Sequence, residues 1–385
     1  MMTSNLKKKS RSRLLMKWLH LWPGIISALI LIFVCITGTI FVYSDEIIDH
    51  CAGDARYVKE VLPNRMPAEK LMDILKTNYP DRKSPAYMVV YRDARRSVRF
   101  NTYNEKTGLR MVYMDPYTGK ILKDDGTVYF FYIIAHLHHS LLLGKVGQWI
   151  IDISTLIFLI ELVTGIYLWW PKRWNKSARK GAFTVKWNAP FKRVNYDFHK
   201  VFGVYALLFI SILVVTGLLI AFEPLGNATM RLFGGVDTHH WKSERVFSDK
   251  DKAHSVFRIN DAVDAAFRMY PGKQEAQVAT YRLEGAYYNV RVSNRIGLKS
   301  AESPKDLFFD RVTGKIATDV PPSVIKGNEV DNAIWVLHTG NWLGPVGKLF
   351  TFLAGLIGAT LPVSGFLIWW NKRRRQSKTI INKKA

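Results

Sequence analysis

The sequence predicts a membrane protein: a four-helix transmembrane bundle built from two tandem repeats, each carrying a small α+β domain outside the membrane. Three observations predict it. Four apolar runs are each long enough to cross a bilayer. Blocks of basic residues free of acids flank those runs at alternate ends. Short motifs recur between the two halves of the chain at nearly fixed offsets.

A hydrocarbon core of about 30 Å takes about 20 helical residues, and residues 18–43, 148–170, 199–222 and 346–370 supply such runs. The net charge of +24 is concentrated around them. Six basic residues and no acids lie in the tail 1–17, eight and none in 171–196, and seven and none in the tail 371–385. The remaining 34 basic residues nearly balance 31 acids. A charge confined to the flanks of apolar runs follows the positive-inside rule and argues against a nucleic-acid partner, which would need a basic face on a folded domain. The rule places the N-terminus, the loop 171–198 and the C-terminus in the cytoplasm. Segments 44–135 and 223–337 then lie outside, in the periplasm if the membrane is a bacterial inner membrane. Trp18, Trp22, Trp169, Trp170, Trp369 and Trp370 fall at the basic ends, as an interfacial aromatic belt requires. The first run is too long for a cleaved signal peptide and reads as a signal-anchor. Cys35 lies within it and Cys51 beyond it, too far apart along a helix to form a disulfide.

The repeat is read from residues 137–147, LHHSLLLGKVG, and 337–347, LHTGNWLGPVG, at an offset of 200 that continues to Gly165/Gly365 and to Trp169-Trp170/Trp369-Trp370. The first and third spans match at an offset of 179, pairing His20 with His199, Gly24 with Gly203 and Thr37-Gly38 with Thr216-Gly217. Each span thus carries a Thr-Gly or Ser-Gly step, expected to let helix backbones approach closely. Outside the membrane, DPYTGKI at 115–121 matches DRVTGKI at 310–316, and each reads as two strands joined by a Thr-Gly turn. Helical stretches at 67–78 and 260–270 and β-rich stretches near 86–104 and 277–292 complete two separate α+β domains. Two halves running in the same sense relate by an axis along the membrane normal.

The repeat sorts the ten histidines. It selects His20 with His199 and His138 with His338, while His136 and His139 align with Val336 and Thr339. His20 and His199 open spans that run outward and so lie near the cytoplasmic face. His138 and His338 precede spans that run inward and lie near the outer face. Residues 136–147 and 338–345 read as interfacial segments, bent at Gly144 and Gly147 and at Gly344, Pro345 and Gly347, since a straight helix from His138 to Trp170 would outreach the membrane. Neutral imidazoles are good iron ligands, so one histidine pair in each leaflet points to two bis-histidine haems. Glu161 and Asp152 are acids in or near the second span. Such acids suggest a proton route or a haem-propionate neighbour, but the repeat replaces them by Leu361 and Phe352, which favours a structural role. His239, His240, Trp241 and His254 could line a substrate site in the second outer domain, although histidines on soluble domains are commonly incidental.

Taken together, the His-x3-Gly openings at His20 and His199, the LHHSLLLG segment, the Thr-Gly-x3-Trp-Trp end of the second span and the Asp-x-x-Thr-Gly-Lys turns resemble those of the PepSY-associated transmembrane proteins. That family includes iron-regulated inner-membrane proteins and ferric-siderophore reductases. The resemblance covers about residues 15–375; the fourth span departs from it at Ser364 and Asn371. It implies PepSY-like outer domains and a haem-dependent reductase passing electrons outward to ferric iron in a siderophore or another periplasmic chelate, with haem b as cofactor. No Gly-rich dinucleotide fingerprint is present, and the cytoplasmic segments are too short for a flavin or nicotinamide domain. The donor expected is therefore membrane quinol or a separate protein. PepSY-type domains are also associated with peptidase inhibition, so a non-redox binding or regulatory membrane protein is the alternative reading.

Overall fold

The computed structural model describes residues 11–83, 85–236, 249–254, 257–280, 285–317 and 320–381. In chain order the elements are α1 (Arg11–Phe41), α2 (Ser44–Ala52), α3 (Ala68–Asn78), β1 (Tyr87–Tyr91), β2 (Val98–Asn104), β3 (Gly108–Met114), β4 (Ile121–Asp125), α4 (Thr127–Ser140), α5 (Gly144–Trp169), α6 (Lys176–Phe183), α7 (Phe191–Ala221), α8 (Glu223–Leu232), α9 (Asp249–His254), α10 (Ile259–Met269), β5 (Glu275–Ala279), β6 (Tyr287–Ser293), β7 (Lys305–Asp310), α11 (Pro322–Thr339) and α12 (Gly344–Ile381). They form two compact units. One draws on residues up to 42, 134–222 and from 343 onward; the other draws on 43–133 and 223–342.

The first unit holds the four helices long and apolar enough to cross a membrane: α1, α5, α7 and α12. They close a ring, with α1 packed on α5 and α12, and α7 packed on the same two. Leu31, Phe158, Leu162, Ala206, Ile210, Val214 and Leu218 fill its centre. Ile26, Leu29, Val163 and Leu208 point outward and stay well exposed, as side chains facing lipid do. A helix satisfies its own backbone polar groups, which is what allows these segments to sit in hydrocarbon. Three helices outrun the spans expected from hydropathy. α1 begins at Arg11, α7 at Phe191, and α12 runs on to Ile381. Hydropathy ends at the first charge, but lysine and arginine are good helix formers, so the helix does not.

Between α4 and α5 the chain reverses. Leu141, Leu142 and Gly144 all take left-handed backbone angles (φ 52°, 58° and 57°). The bend expected at the glycines is present, but two leucines share it, each at a steric cost of about 1–2 kcal/mol. Gly147 is required by close approach: a Cβ there would lie 1.8 Å from the carbonyl oxygen of Ser140. Gly344 (φ 55°) likewise opens α12.

The second unit is a seven-stranded antiparallel sheet in the order β4-β3-β2-β1-β5-β6-β7. Two separate outer domains were expected. Instead, β1 and β5 pair directly, with Tyr87 opposite Ala279, Val89 opposite Gln277 and Tyr91 opposite Glu275, so both segments share one sheet. Alternation explains the layering. Met88 and Val90 join Phe100, Val112, Val278 and Val290 beneath α3 and α10, which contribute Leu71, Leu75, Val263 and Phe267. Val89 and Tyr91 face the other way, towards Ile296 and Ala301.

The two Asp-x-x-Thr-Gly-Lys motifs are turns of one construction. Asp115 Oδ1 accepts from the amides of Tyr117 and Thr118, and Asp310 Oδ1 from those of Val312 and Thr313. Gly119 and Gly314 then take φ 72° and 69°, where a side chain is disfavoured. The first turn leads into β4. After the second, the described residues show a bridge between Phe309 and Ile316, where the expected second hairpin begins.

Candidate functional site

Three of the four selected histidines lie in the bundle unit. His20 is on α1, and its Nδ1 is 3.2 Å from the carbonyl oxygen of Glu161 and 3.1 Å from Thr164 Oγ1 on α5. His199 is on α7, with Nδ1 3.1 Å from the Leu361 carbonyl oxygen and 2.9 Å from Ser364 Oγ on α12. His138 is on α4, with Nδ1 3.0 Å from the Val34 carbonyl oxygen and 3.1 Å from Thr37 Oγ1 on α1. Each imidazole therefore reads the same pair of groups on a neighbouring helix: a hydroxyl and the carbonyl three residues before it.

The glycine that follows each hydroxyl completes the seat. A Cβ at Gly165 would lie 3.3 Å from His20 Cε1, one at Gly365 3.2 Å from His199 Cε1, and one at Gly38 2.9 Å from His138 Cε1. The Thr-Gly step, expected to serve helix–helix approach, instead makes room for a ring lying against backbone. Thr37 and Thr164 spend their own hydrogens on carbonyls of the preceding turn, and Ser364 does the same with Leu361. Their oxygens are left to accept from the ring.

This geometry fixes the tautomer. A carbonyl oxygen only accepts, so Nδ1 must carry the proton in each ring. In the neutral imidazole Nε2 then holds the lone pair, the arrangement found in metal-bound histidines whose other nitrogen donates to a carbonyl.

His20 and His199 meet across the ring of helices, with centroids 6.2 Å apart and planes at 76°. Two imidazoles on opposite sides of one metal, each with a metal–nitrogen bond of about 2.0 Å and a ring centre ~1.2 Å behind that nitrogen, have centroids ~6.4 Å apart. The observed separation is close to that value. His338 belongs to the other unit, where it lies on α11 edge-on to Trp335, centroids 6.5 Å apart. The His136 and His139 rings lie 4.9 Å apart with planes tilted by 57°; it is His138, between them in sequence, that occupies the Thr37 seat.

Glu161 contributes more than its backbone. Its Oε2 is 3.9 Å from His20 Nδ1, and a Cβ at Gly24 would lie 2.5 Å from that oxygen. Oε1 is buried without a hydrogen-bond partner. Gly203, the counterpart of Gly24, faces Leu361 instead, at 3.6 Å. The glycine of the His-x3-Gly opening thus makes room for the carboxylate at 161, whereas at Gly203 a Cβ would meet Leu361 only in ordinary contact. Asp152 is buried on α5. His254 ends α9, with Nδ1 2.7 Å from the Lys250 carbonyl oxygen; His239, His240 and Trp241 lie outside the described residues.

A ring of four apolar helices with paired histidines inside it, carried on the same chain as an antiparallel sheet unit, defines a multi-pass membrane protein. The chain belongs to the family described as the PepSY-associated TM region, which matches residues 17–372. No match is found among curated proteins.

Proposed function

We propose that the protein is a di-haem oxidoreductase of the bacterial inner membrane, passing electrons outward to ferric iron held by a siderophore or similar chelate. The observation that carries this reading is the His20–His199 pair: two rings with Nδ1 engaged by backbone, 6.2 Å apart. His138 in its matching seat is the observation in favour of a second haem; it is the sequence repeat alone that nominates His338 as its second ligand. Haem b would supply the one-electron chemistry, and the chain sets its surroundings.

In this reading the carbonyls of Glu161 and Leu361 hold the inner rings in orientation. By drawing on the Nδ1 protons they make Nε2 a stronger donor, which favours the oxidised metal. The tandem repeat accounts for the likeness of the seats, and it accounts for the register of β1 and β5. Val89 and Gln277, each in the middle of its strand, face each other. With the basic ends in the cytoplasm, as the positive-inside rule expects, the His20–His199 pair is on the donor side, where membrane quinol or a separate protein would deliver electrons. Release of iron follows reduction because oxygen-rich chelates hold ferrous iron more weakly.

The absorption spectrum of purified protein tests the proposal. The expected result is a strong Soret band and, on reduction, the sharp α and β bands of six-coordinate haem b. His20→Ala or His199→Ala should remove one haem and His138→Ala or His338→Ala the other. Protein that stays colourless when expressed with ample haem overturns the redox reading in favour of binding or regulation. Four variants that all keep full haem content would overturn the ligand assignment.

A further inference from the structure

In the sheet unit, two guanidiniums gather at one aromatic ring with no counter-ion among the described residues. The chain from Ala55 to Val58 lies against the turn between β1 and β2. Tyr57 and Arg96 face each other in a β-bridge. The Val58 amide donates to the Arg95 carbonyl at 2.8 Å, and the Ser97 amide to the Arg56 carbonyl at 3.0 Å. This pairing sets the guanidinium carbons of Arg56 and Arg96 5.6 and 5.5 Å from the centre of the Tyr57 ring. Arg96 also stacks on Tyr91 at 4.0 Å. Tyr57 itself stays 45% exposed.

The rings hold these side chains in place but leave most of their N–H groups unanswered. Arg96 makes no side-chain hydrogen bond among the described residues, and its Nε is buried without a partner. Arg56 uses only its Nε, which donates to the Gly53 carbonyl at 3.0 Å. The neighbouring acids do not answer them. Asp93 pairs with Arg95 at 3.2 Å, and Glu275 Oε2 accepts from the Ile296 amide at 2.7 Å. Asp54, in the turn that ends at Arg56, forms no ion pair among the described residues. A buried donor without an acceptor is costly, and planar guanidinium forks match paired anionic oxygens. We infer that Arg56, Arg96 and Tyr57 form a docking site for an anionic metal chelate, its carboxylate or catecholate oxygens held between the two guanidiniums. That the metal is ferric iron rests on the redox reading; the sign of the charge comes from the arginines. A cationic chelate would be repelled here.

Isothermal titration calorimetry of the full chain in phosphatidylcholine nanodiscs tests the site. The probes are gallium(III) complexes, which match ferric ones in charge and resist reduction, so binding is read apart from electron transfer. Gallium tris-catecholate and gallium citrate are anionic; gallium desferrioxamine B is cationic. At least one anionic complex should bind at least tenfold more tightly than the cationic one, and which of them does so names the source of the oxygens. Arg56→Gln/Arg96→Gln should weaken that binding at least tenfold. Lys106→Gln/Lys315→Gln, which removes as much charge from exposed positions of the same unit, should leave it unchanged. Equal binding of the cationic complex, binding of neither anionic one, an equal loss in both double variants, or displacement by equimolar inorganic phosphate would overturn the site. The comparison of complexes uses the unaltered chain, so it stands even if a double variant misfolds. Gallium binding does not require haem. Colourless protein that binds an anionic complex would overturn the redox reading alone, and haem-loaded protein that binds neither would overturn this site alone.

Discussion

Gly38, Gly165 and Gly365 sit where a single methyl group reports on the histidine seat. Glycine to alanine inside a helix is ordinarily favourable by about 1 kcal/mol. At Gly181 on α6, where nothing lies within 4 Å of an added Cβ, that gain should stand. At the three seats the new methyl meets an imidazole. The contact is tightest at Gly38, 2.9 Å, and looser at Gly365 and Gly165, 3.2 and 3.3 Å. Gly38→Ala should therefore displace its ring most. The expected readout is a shifted α band and weakened retention of the affected haem, with Gly181→Ala unchanged in both. Removing the hydroxyl alone, as in Thr164→Val, keeps the Glu161 carbonyl as acceptor and should act more mildly, costing about 1 kcal/mol through one hydrogen bond. Equal effects at all four glycines would refute the seat. The sequence made these glycines visible through their recurrence but misassigned their work. A Thr-Gly step looks the same whether it admits a neighbouring backbone or a ring, and only the partner's position separates the two.

Among the elements, β4 is held by charge as well as by Ile121, which packs against the core. Asp124 accepts from Arg82 Nη1 at 2.9 Å and from Arg110 Nε at 2.8 Å. Burial acts to raise the Asp124 carboxyl, but the hydrogen bonds and charges of Arg82 and Arg110 outweigh it and hold the group below the usual carboxylate range. An acid held low in the folded state contributes its stabilisation above its unfolded value, about pH 4, and loses it as the pH falls through the lowered one. The thermal midpoint of the sheet unit should accordingly fall on acidification below about pH 4. Asp124→Asn should cost about 1–2 kcal/mol at neutral pH, after allowance for partial exposure, and flatten that acid limb. A variant whose acid limb matches the parent's would remove Asp124 from the account. Strands β1 and β2 and helices α3 and α10 were legible because their side chains alternate or recur on a face. The reach of α1, α7 and α12 past their apolar runs was not, since hydropathy measures where lipid ends and not where a helix does.

Neither unit of the molecule is made from one half of the chain. The bundle takes α1 and α5 from the first half and α7 and α12 from the second. The sheet takes β1–β4 from the first and β5–β7 from the second, joined by five paired residues along β1 and β5. Sequence reasoning found both sets of elements yet treated the outer segments as two domains. An offset shows that two stretches are alike, but edge pairing between likes leaves no local pattern. The joint has a consequence for a chain cut between Asn188 and Ala189. The half 1–188 would expose the whole edge of β1, a ready template for wrong pairing, and would leave the core residues Leu31, Phe158 and Leu162 without Ala206, Ile210 and Val214. It should be degraded or aggregate when expressed alone. Co-expressed with 189–385, it should be recovered in one complex by an affinity tag on either half. His20 comes from one half and His199 from the other, so on the proposed ligand assignment a haem held by this pair should appear in the complex and in neither half alone. A stable, monodisperse 1–188 that carries that haem would show that one half suffices, and would overturn both the shared architecture and the ligand pair drawn from it.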